Sequence, residues 1–450
     1  MNHLLEMKRM KTFKIGGIHP EDNKLSKGVE VEVFPLPKQA TLFVNQNLGA
    51  PSTPVVQKGD HVKVGQLIAK AEGFIGANIH SPYSGTVTKI DPVSDFMGYK
   101  RTAIEIAVEG DEWMEHIDTT PELKKEITLS KSEIIDKIKE CGIVGLGGAC
   151  FPTHVKYMIP ENKKVDYLII NAVECEPYIT TDHRMMLEKA EECLVGIEAL
   201  LIASGAPVAL IGIENNKPDA IAHLQELIKD YPKIQVHPLK TKYPQGAEKQ
   251  LIHALTNRVV PSGKLPIEVG VIVNNITTCY AVYEAIQKNK PLIETHLTVS
   301  GKSLENRKNL RVRLGTPLRE ILDYVGIPED TGKVISGGPM MGKAIANLDT
   351  FAVKGMSSIL FMNEKESKRG ETINCIRCGK CVLGCPMRLE PYLLAPLVEK
   401  KDYEACEANG ILDCIECGSC SYNCPAFRPL LDLIRVGKSR TTAMIRSRKS

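Results

Sequence analysis

The chain has 450 residues, of which 43% are hydrophobic and 25% are charged, and its formal net charge is +3. Taking about 150 residues per domain, this composition describes a globular protein of about three domains. The N-terminus lacks the apolar core of a signal peptide, and no stretch approaches the roughly 18 consecutive apolar residues of a membrane-spanning helix. The small net charge, the 5% aromatic content and the absence of a basic stripe argue against a regulator that binds nucleic acid.

The N-terminal part is predicted to be an arm, residues 1–40, followed by a small β-domain, residues 41–110. Short apolar–polar alternations separated by Gly-Asp turns favour a compact β-sandwich in this domain. The phrases GDHVKVGQ and SPYSGTV resemble the biotinyl/lipoyl carrier fold, a flattened barrel. In that family a lysine at the hairpin tip carries the cofactor, whereas Phe74 lies at about that place here. We therefore expect a structural or docking module and not a carrier.

A glycine-rich loop follows a Ser-capped amphipathic helix that we predict over residues 131–141. Gly145, Gly147 and Gly148 expose backbone N–H groups and permit positive φ, which suits a phosphate or a flat ring. The loop is not a dinucleotide-binding fingerprint, because Cys150 occupies the position of the third glycine and a helix precedes the loop instead of a strand. By composition alone, the loop is either a cofactor site or a structural turn.

Strand and helix patterns alternate through residues 120–288, which predicts a Rossmann-like domain with a parallel sheet flanked by helices. Polar residues follow two of its strands: Asn171 with Glu174 and Glu176, and Asn274. Open parallel sheets bind ligands at the carboxyl ends of their strands, so these side chains are candidate ligand contacts. The alternative for the two acids is an ordinary solvated loop.

The next region is predicted to be a small β-grasp module, residues 289–350, in which short strands surround one helix. Its GGPMMG segment, 337–342, is interpreted as a glycine turn with core methionines or as a cofactor contact. A polar, charged linker, 361–372, marks the boundary before the cysteine-rich domain, 365–435. The basic tail, 436–450, is predicted to be solvated or to favour an anionic membrane surface.

Eight of the 14 cysteines form two copies of one spacing, C-x2-C-x2-C-x3-C-P, which binds pairs of 4Fe–4S clusters in bacterial ferredoxins. Three cysteines of each run ligate one cluster, and the fourth ligates the other. The predicted sets are Cys375, Cys378, Cys381 and Cys424 for the first cluster and Cys385, Cys414, Cys417 and Cys420 for the second. A pair of zinc sites would leave four of these cysteines idle, and structural disulfides would require an oxidising compartment.

The residues around the cysteine runs predict an all-helical two-cluster domain. Pro386 and Pro425 are predicted at the first positions of helices, where a missing N–H costs nothing. The insert between the runs is helical in period, and Pro391 and Pro396 are predicted to interrupt it. Cys406 lies outside both runs, so we expect a packed thiol instead of a ligand.

The order of these motifs resembles that of the C subunit of the Rnf electron-transport complex over most of the chain. The shared segments are GGIHP, GDHVKVGQ, GLGGACFPTHVKY, NAVECEPYITTDHR, YPQGAEKQL, GVIVNN, GGPMMG and the two cysteine runs. The middle of the chain also resembles the NADH-binding flavoprotein subunit of respiratory complex I. That resemblance implies FMN and NAD(H) contacts at Gly145, Gly147, Gly148, Lys156, Asn171, Glu174, Glu176 and Asn274. Cys150, Val173 and Cys175 depart from the family's pattern and narrow the room for a flat ring.

The resemblance implies a peripheral electron-transfer subunit of a membrane-bound, ion-translocating ferredoxin:NAD+ oxidoreductase. FMN would exchange a hydride with NAD(H) and pass single electrons to the two 4Fe–4S clusters and on to a partner iron–sulfur subunit. We expect no acid–base triad. Because thiol-ligated clusters need a reducing interior, we expect the chain on the cytoplasmic face of the bacterial inner membrane, held there by the other subunits of the complex. The alternative from another functional class is a flavin-free iron–sulfur relay or scaffold.

Overall fold

The computed structural model describes residues 10–449 of the chain. Over this range, 17 strands form four sheets, and 14 α-helices accompany them. The strands are β1 (Val31–Val33), β2 (Gln39–Phe43), β3 (Thr53–Pro54), β4 (His61–Val62), β5 (Leu67–Lys70), β6 (Ile79–His80), β7 (Gly85–Ser94), β8 (Lys100–Val108), β9 (Tyr167–Asn171), β10 (Ala209–Glu214), β11 (Ile234–Leu239), β12 (Val271–Asn275), β13 (Glu294–Gly301), β14 (Lys308–Arg313), β15 (Thr331–Ser336), β16 (Lys343–Ala344) and β17 (Ser358–Asn363). The helices are α1 (Lys131–Glu140), α2 (Thr153–Tyr157), α3 (Thr181–Glu188), α4 (Ala190–Ser204), α5 (Pro218–Leu227), α6 (Glu248–Thr256), α7 (Ile276–Lys288), α8 (Leu318–Val325), α9 (Glu364–Ser367), α10 (Lys380–Leu383), α11 (Pro391–Glu399), α12 (Tyr403–Ala408), α13 (Ser419–Tyr422) and α14 (Leu430–Lys449). None of these helices combines the length and the apolar character that crossing a bilayer requires.

The N-terminal domain is a β-sandwich of two antiparallel sheets, ordered β2-β8-β7-β4 and β3-β5-β6. Successive side chains of a strand point to opposite faces, and the inward-facing ones, such as Leu42, Ile68 and Ile106, form one shared core. The predicted short strands and turns are therefore present. Phe74 lies between β5 and β6 and is 62% exposed, at the predicted tip.

The middle of the chain contains a four-stranded, fully parallel sheet in the order β11-β10-β9-β12. Strands β9, β10 and β12 are buried on both faces over most of their length, which explains their runs of Ile, Leu and Val, whereas the edge strand β11 is partly exposed. Helices α4 and α7 lie side by side on one face. Their approach is so close that a Cβ at Gly196 would come within 2.0 Å of the Cys279 carbonyl oxygen. The predicted parallel sheet flanked by helices is confirmed.

A six-stranded mixed sheet, ordered β1-β14-β13-β17-β15-β16, packs against helix α8. It extends beyond the predicted module of residues 289–350 in two places. Strand β1 comes from the predicted arm and pairs in parallel with β14. Strand β17 lies between β13 and β15, although its last residues belong to the predicted polar linker. The local pattern could not show these pairings, because they join segments that are far apart in the chain.

The cysteine-rich domain is all-helical over its described residues and contains α10 to α14. Pro386 and Pro425 do not begin helices: each lies in a turn two residues after the C-terminal cap of α10 or α13. That position suits proline, because proline cannot continue a helix. Pro391 begins α11, and Pro396 lies inside this helix without ending it, so neither interrupts the insert. Cys406 is fully buried, which confirms a packed thiol.

The predicted basic tail, 436–450, is not a separate segment, because helix α14 continues through it to Lys449. Arg448 forms ion pairs with Glu404 and Glu407 of α12, at 3.1 and 2.7 Å. The last residue of the chain lies outside the described residues. The tail is therefore part of the helical domain and is not simply solvated.

We expect Gly196→Ala to destabilise the parallel-sheet domain. The added methyl group meets main-chain atoms of α7, so the two helices must separate. Overpacking of this kind costs roughly 1–3 kcal/mol, which outweighs the gain of about 1 kcal/mol from replacing a glycine inside a helix. The midpoint of thermal unfolding, followed by circular dichroism, should fall by several degrees.

The matched control is Gly28→Ala, because a Cβ at Gly28 meets no atom within 4 Å. Its unfolding midpoint should equal that of the unaltered protein. Equal midpoints for Gly196→Ala and Gly28→Ala would contradict the close approach of the two helices.

Candidate functional site

The candidate site lies at the carboxyl edge of the parallel sheet, beside the glycine-rich loop of residues 145–149. Strands β9 and β12 are neighbours, and their last residues, Asn171 and Asn275, are paired in register. The loop is held against the first turn of α7, where the Leu146 N–H donates to the Thr278 hydroxyl at 3.0 Å. Glycine loop and strand ends therefore meet at one place, as the sequence predicts.

The loop approaches the sheet edge at Gly147. A Cβ there would come within 2.9 Å of the Asn275 side chain, so this contact requires glycine. A Cβ at Gly148 would meet no atom within 4 Å, and the nearest atom to one at Gly145 lies at 3.7 Å. Residues 147–149 are exposed. The loop thus packs on Asn275 with one side and offers main-chain groups to solvent with the other.

Cys150 follows the loop in the left-handed region, with φ of 51°. Its thiol lies against Gly355, where a Cβ would be only 2.3 Å from the sulfur. Burial raises the pKa of this thiol to about 11. The side chain that replaces a glycine of the family's pattern is therefore accommodated by a second glycine, on a segment 205 residues further along the chain.

Of the two asparagines that end β12, only the second faces the loop. Asn274 is 2% exposed, and its amide donates to the Tyr157 hydroxyl. The Asn275 amide donates to Asp182 at 2.8 Å, and its oxygen accepts from the Thr278 N–H at 3.2 Å, which caps α7. The predicted contact at Asn274 is thus not brought to the site. Consecutive strand residues point to opposite faces, so only one of the two asparagines can face the loop, but this alternation does not show which one.

The end of β9 is covered by the segment that precedes α6. The Asn171 amide donates to the Gly246 carbonyl at 2.8 Å. The Gly246 N–H donates to the Cys175 sulfur at 3.3 Å, and burial raises the pKa of that thiol far above its usual range. Asn171 therefore lies at the site, but its amide group is hydrogen-bonded to the Gly246 carbonyl. Cys175 is a structural contact of the same glycine.

Lys156, on α2, lies between the end of β12 and the start of α6. Its ammonium donates to the Val273 carbonyl at 2.7 Å. It is also 3.9 Å from the carboxylate of Glu248, which is the first residue of α6. Burial lowers the pKa of Lys156, and the nearby Glu248 charge opposes that change. The structure thus brings a partly buried lysine and a helix N-terminus together at the sheet edge.

Glu174 is turned away from the glycine loop. Its side chain is 3% exposed, and its carboxylate accepts from the Asp182 N–H at 2.7 Å and lies 3.6 Å from the Lys24 ammonium. Its main chain is in the left-handed region, with φ of 49°. This predicted cofactor contact therefore anchors the loop after β9. Its partner, Lys24, lies in the N-terminal arm, where no local pattern singles it out.

Asp182 supports Asn275 from behind. Its carboxylate accepts hydrogen bonds from the Asn275 amide at 2.8 Å and from the Thr277 hydroxyl at 2.7 Å. Burial, followed by the charge of Glu174, raises the pKa of Asp182 to about 7. The sequence analysis missed this residue, because an aspartate in the first turn of a helix ordinarily serves the helix alone.

Glu176 faces the cysteine-rich domain and the GGPMMG turn. Its carboxylate accepts from the N–H groups of Met340 and Met341 at 3.1 and 2.9 Å, and one of its oxygens lies 3.3 Å from the Tyr243 hydroxyl oxygen. The same hydroxyl is 2.8 Å from the carbonyl oxygen of Cys417 and donates to it. Burial raises the pKa of Glu176 to about 7. The structure therefore places this predicted contact at a junction between domains, not at the glycine loop.

Cysteines of the two runs pack against one another. Cys385, from the first run, packs with Cys414 of the second, whereas Cys420, of the second run, lies in one cluster with Cys381 and Cys424. The pKa of Cys420 is raised to about 12 by burial and then by the charges of Cys417, Cys414 and Cys385. Burial, and less strongly the neighbouring Cys424, raises the pKa of Cys381.

Within residues 10–449, no three Cys, His, Asp or Glu side chains converge closely enough to hold one metal ion. A zinc site would need four ligands on one ion, whereas a 4Fe–4S cubane would take its four thiolates at separate corners.

We expect Asp182→Asn to change the pH dependence of stability. The pKa of Asp182 in the folded chain is raised from 3.8 to about 7, so the folded state keeps a proton that the unfolded state has released in this window. The free energy of unfolding therefore falls as pH rises from about 4 to 7, by about 1.4 kcal/mol per pH unit. Asn carries no such proton.

The measurement is the unfolding midpoint of both proteins at pH 5 and pH 8. The difference, Asp182→Asn minus unaltered chain, should become more positive at pH 8. The control is the exposed Asp136→Asn, whose difference should stay constant. A difference for Asp182→Asn that does not change with pH would show that Asp182 is ionised throughout.

Comparison with known proteins assigns the two N-terminal domains. Residues 138–284 match the model of the Nuo51 FMN-binding domain, which includes the glycine loop and both strand ends. Residues 11–111 match the RnfC barrel sandwich hybrid domain. A solved chain of an NAD+-reducing [NiFe]-hydrogenase in the air-oxidised state shares the fold, with a TM-score of 0.51 and 17% identity over 70% of this chain and 66% of that chain.

Two relatives match the chain over nearly its whole length and nearly their own. The C subunit of the proton-translocating ferredoxin:NAD(+) oxidoreductase complex of Clostridium ljungdahlii is 45% identical over 96% of this chain and 95% of its own length. The C subunit of the Na(+)-translocating complex of Acetobacterium woodii is 41% identical over 97% of this chain and 98% of its own length. With this identity over nearly the whole length, the chain belongs to the RnfC family, the C subunits of the ion-translocating ferredoxin:NAD(+) oxidoreductase, or Rnf, complexes.

Proposed function

We propose that this chain is the NAD(H)- and FMN-binding iron–sulfur subunit of an Rnf complex and moves electrons between NAD(H) and a partner iron–sulfur subunit. The observation that carries the proposal is the contact of the second cysteine loop with the sheet edge. Tyr243, which donates to the Cys417 carbonyl, lies three residues before Gly246, which accepts from Asn171 at the glycine loop. A flavin site and a cluster site are thus joined by one short segment.

The residues at the sheet edge suit FMN. Gly147 and Gly148 present exposed main chain, and Asn171 and Asn275 present amide groups. Lys156 and the N-terminus of α6, beside the Glu248 carboxylate, supply an ammonium group and main-chain N–H groups that suit the phosphate. When bound, FMN supplies the exchange of a hydride for two single electrons. The residues of this chain bind and orient it, and the exposed side of the loop is left for the nicotinamide.

Three of the predicted contacts have other roles in this proposal. Glu174 holds the loop after β9, Glu176 holds the junction with the cysteine-rich domain, and Asn274 is buried on Tyr157. Each positions the binding residues instead of touching FMN. Gly145 shapes the loop, because its N–H donates to the Phe151 carbonyl at 2.9 Å.

We further propose that the two thiol groups each hold a 4Fe–4S cluster. The first set is Cys375, Cys378, Cys381 and Cys424, and the second is Cys385, Cys414, Cys417 and Cys420. Two contacts support this crossed assignment: Cys385 packs in one cluster with Cys414, and Cys424 packs against the cluster that contains Cys381 and also Cys420. In this arrangement the second cluster lies beside the flavin domain and the first lies further from it.

The domain roles and the location follow the same proposal. The N-terminal sandwich is a biotinyl/lipoyl-like docking module without a carrier lysine, and the mixed sheet is a β-grasp-like module. The relatives are named as subunits of ion-translocating complexes, so we propose that this chain assembles with other Rnf subunits at the cytoplasmic face of the bacterial inner membrane. Ferredoxin would exchange electrons with it indirectly.

A flavin-free iron–sulfur relay is the second candidate. One observation favours it: the Cys175 sulfur accepts from the Gly246 N–H at a place where the complex I pattern has glycine, so the pocket for a ring is narrower. Flavin fluorescence after denaturation separates the two candidates. Release of about one FMN per chain supports the enzyme, and its absence from material with intact clusters supports the relay.

We expect Lys156→Met to weaken FMN binding by roughly tenfold or more, the loss expected for one charged hydrogen bond. NADH oxidation with an artificial acceptor should slow in proportion, and added FMN should restore it. Iron content should not change. The control is Lys163→Met, which removes a surface lysine paired with Glu268 at 2.7 Å. FMN content that is equal in both variants would remove Lys156 from the site.

We expect Cys385→Ser to disrupt the second cluster and to lower the iron content from about eight to about four per chain. The double variant Cys385→Ser/Cys417→Ser should lose no further iron, because both residues serve one cluster. The double variant Cys385→Ser/Cys378→Ser should lose nearly all of it. Cys406→Ser is the control and should keep about eight. The reverse pattern in the double variants would overturn the crossed assignment.

A further inference from the structure

The two cysteine runs have the same backbone conformation. Three pairs of equivalent residues adopt left-handed φ values: Arg377 and Glu416 at 55° and 58°, Gly379 and Gly418 at 73° and 77°, and Arg388 and Phe427 at 60° and 48°. Each run is followed by a helix, α11 or α14, that starts six residues after its fourth cysteine. The domain is therefore an internal repeat, and the surroundings of one run can be compared directly with those of the other.

The second run is covered by the rest of the chain. Cys417 is 7% exposed and lies in one apolar cluster with Ile18 and Tyr243, and Ile415 and Met340 pack against that cluster. Gly418 is the equivalent of Gly379 in the second run. A Cβ at Gly418 would come within 2.9 Å of the Met340 carbonyl oxygen. An apolar isoleucine next to the first cysteine thus serves as a contact with the flavin domain.

The first run has an isoleucine at the equivalent position, but no part of the chain that the structure describes covers this side chain. Ile376, the equivalent of Ile415, is 62% exposed, and Cys375 and Cys378 are exposed as well. Ile373 and Phe427, at 54% and 53% exposure, extend this surface. The segments that carry these two side chains are hydrogen-bonded to each other, because the Ile373 N–H donates to the carbonyl of Ala426, the residue before Phe427, at 3.2 Å.

The charge of the first run is opposite to that of the second. Arg377 and Lys380 are exposed, whereas the equivalent residues are Glu416 and Ser419. Glu416 is paired with Arg435 and with a lysine of α14. An apolar centre with a cationic rim, next to exposed cluster ligands, fits a transient electron-transfer interface with an acidic partner. We name the surface formed by Ile373, Ile376, Arg377, Lys380 and Phe427 the open cluster face.

We propose that the open cluster face is the docking site for an acidic iron–sulfur protein. Cys375, Cys378, Cys381 and Cys424 would hold the cluster at this face. That cluster would exchange one electron, without a proton, with the partner's cluster, so that one is oxidised as the other is reduced. This inference rests on the proposed function, because it requires that both clusters form. It assigns the first cluster to the partner and the second to the flavin domain.

The test uses the full chain reconstituted with FMN and iron–sulfur clusters, and the variant Arg377→Glu/Lys380→Ser. This variant gives the first run the residues of the second, which adopt the same backbone conformation at both positions, so the loop can accept them. The control is Lys400→Glu/Arg440→Ser. It makes the same change in formal charge at two exposed positions, one at the end of α11 and one in α14. Iron analysis verifies that every protein holds both clusters.

The probe is an acidic two-cluster bacterial ferredoxin, which stands in for the partner iron–sulfur subunit. It is reduced photochemically and mixed with the oxidised chain in a stopped-flow instrument. We expect the second-order rate constant of Arg377→Glu/Lys380→Ser to be about tenfold lower at low ionic strength and to lose most of its salt dependence. The control should match the unaltered chain. NADH oxidation with a small uncharged quinone should be equal in all three proteins.

Several results would overturn the proposal. Equal ferredoxin rates in Arg377→Glu/Lys380→Ser and the unaltered chain, or an equal loss in the control, would show that this face is not the docking site. Weaker binding of the variant to anionic lipid vesicles, with an unchanged ferredoxin rate, would assign the face to a membrane instead. A chain that assembles no clusters would overturn this inference together with the proposed function, and iron analysis would report that before any kinetics.

Discussion

One carboxyl group, that of Glu176, joins three parts of the molecule. It accepts hydrogen bonds from the main chain of Met340 and Met341, which follow the mixed sheet's strand β15. It also contacts the Tyr243 hydroxyl, which donates to the carbonyl of Cys417. The pKa of Glu176 is raised to about 7 by burial, and these bonds oppose that increase. The position of the second cysteine loop relative to the sheet edge depends on this contact. The proposed cofactor site and the proposed cluster site can therefore keep a constant separation.

The N-terminal arm holds the same region from the opposite side. The Lys24 ammonium donates to three main-chain carbonyl oxygens of the loop after β9, those of Glu174, Glu176 and Ile179. The Gly17 N–H donates to the Gly384 carbonyl in the first cysteine run at 3.0 Å. One segment thus connects the flavin domain to the cysteine-rich domain and adds a strand to the mixed sheet. The segment that the sequence predicts to be an N-terminal arm therefore has a structural role, because it links these domains.

The parts of the site that could be predicted are those with a local signal. Parallel strands appear in the sequence as apolar runs, and their carboxyl ends predict the site edge at Asn171. The glycine loop was found because backbone access requires glycine, as at Gly147. Local signals failed where the prediction depended on the direction in which a side chain points. Asn274 and Asn275 both end β12, and only the contacts of each show which one faces the loop.

By itself, the sequence determined the chemistry that the chain can hold, because cysteine spacing and glycine content set ligand number and backbone access directly. Only the tertiary structure decided the roles of Glu174 and Glu176 as anchors and the difference between a covered and an open cysteine run. Lys24 and Glu174 are 150 residues apart, and Tyr243 and Cys417 are 174 apart. No periodicity within a segment encodes such pairings, since they arise only when separately folded elements pack against one another.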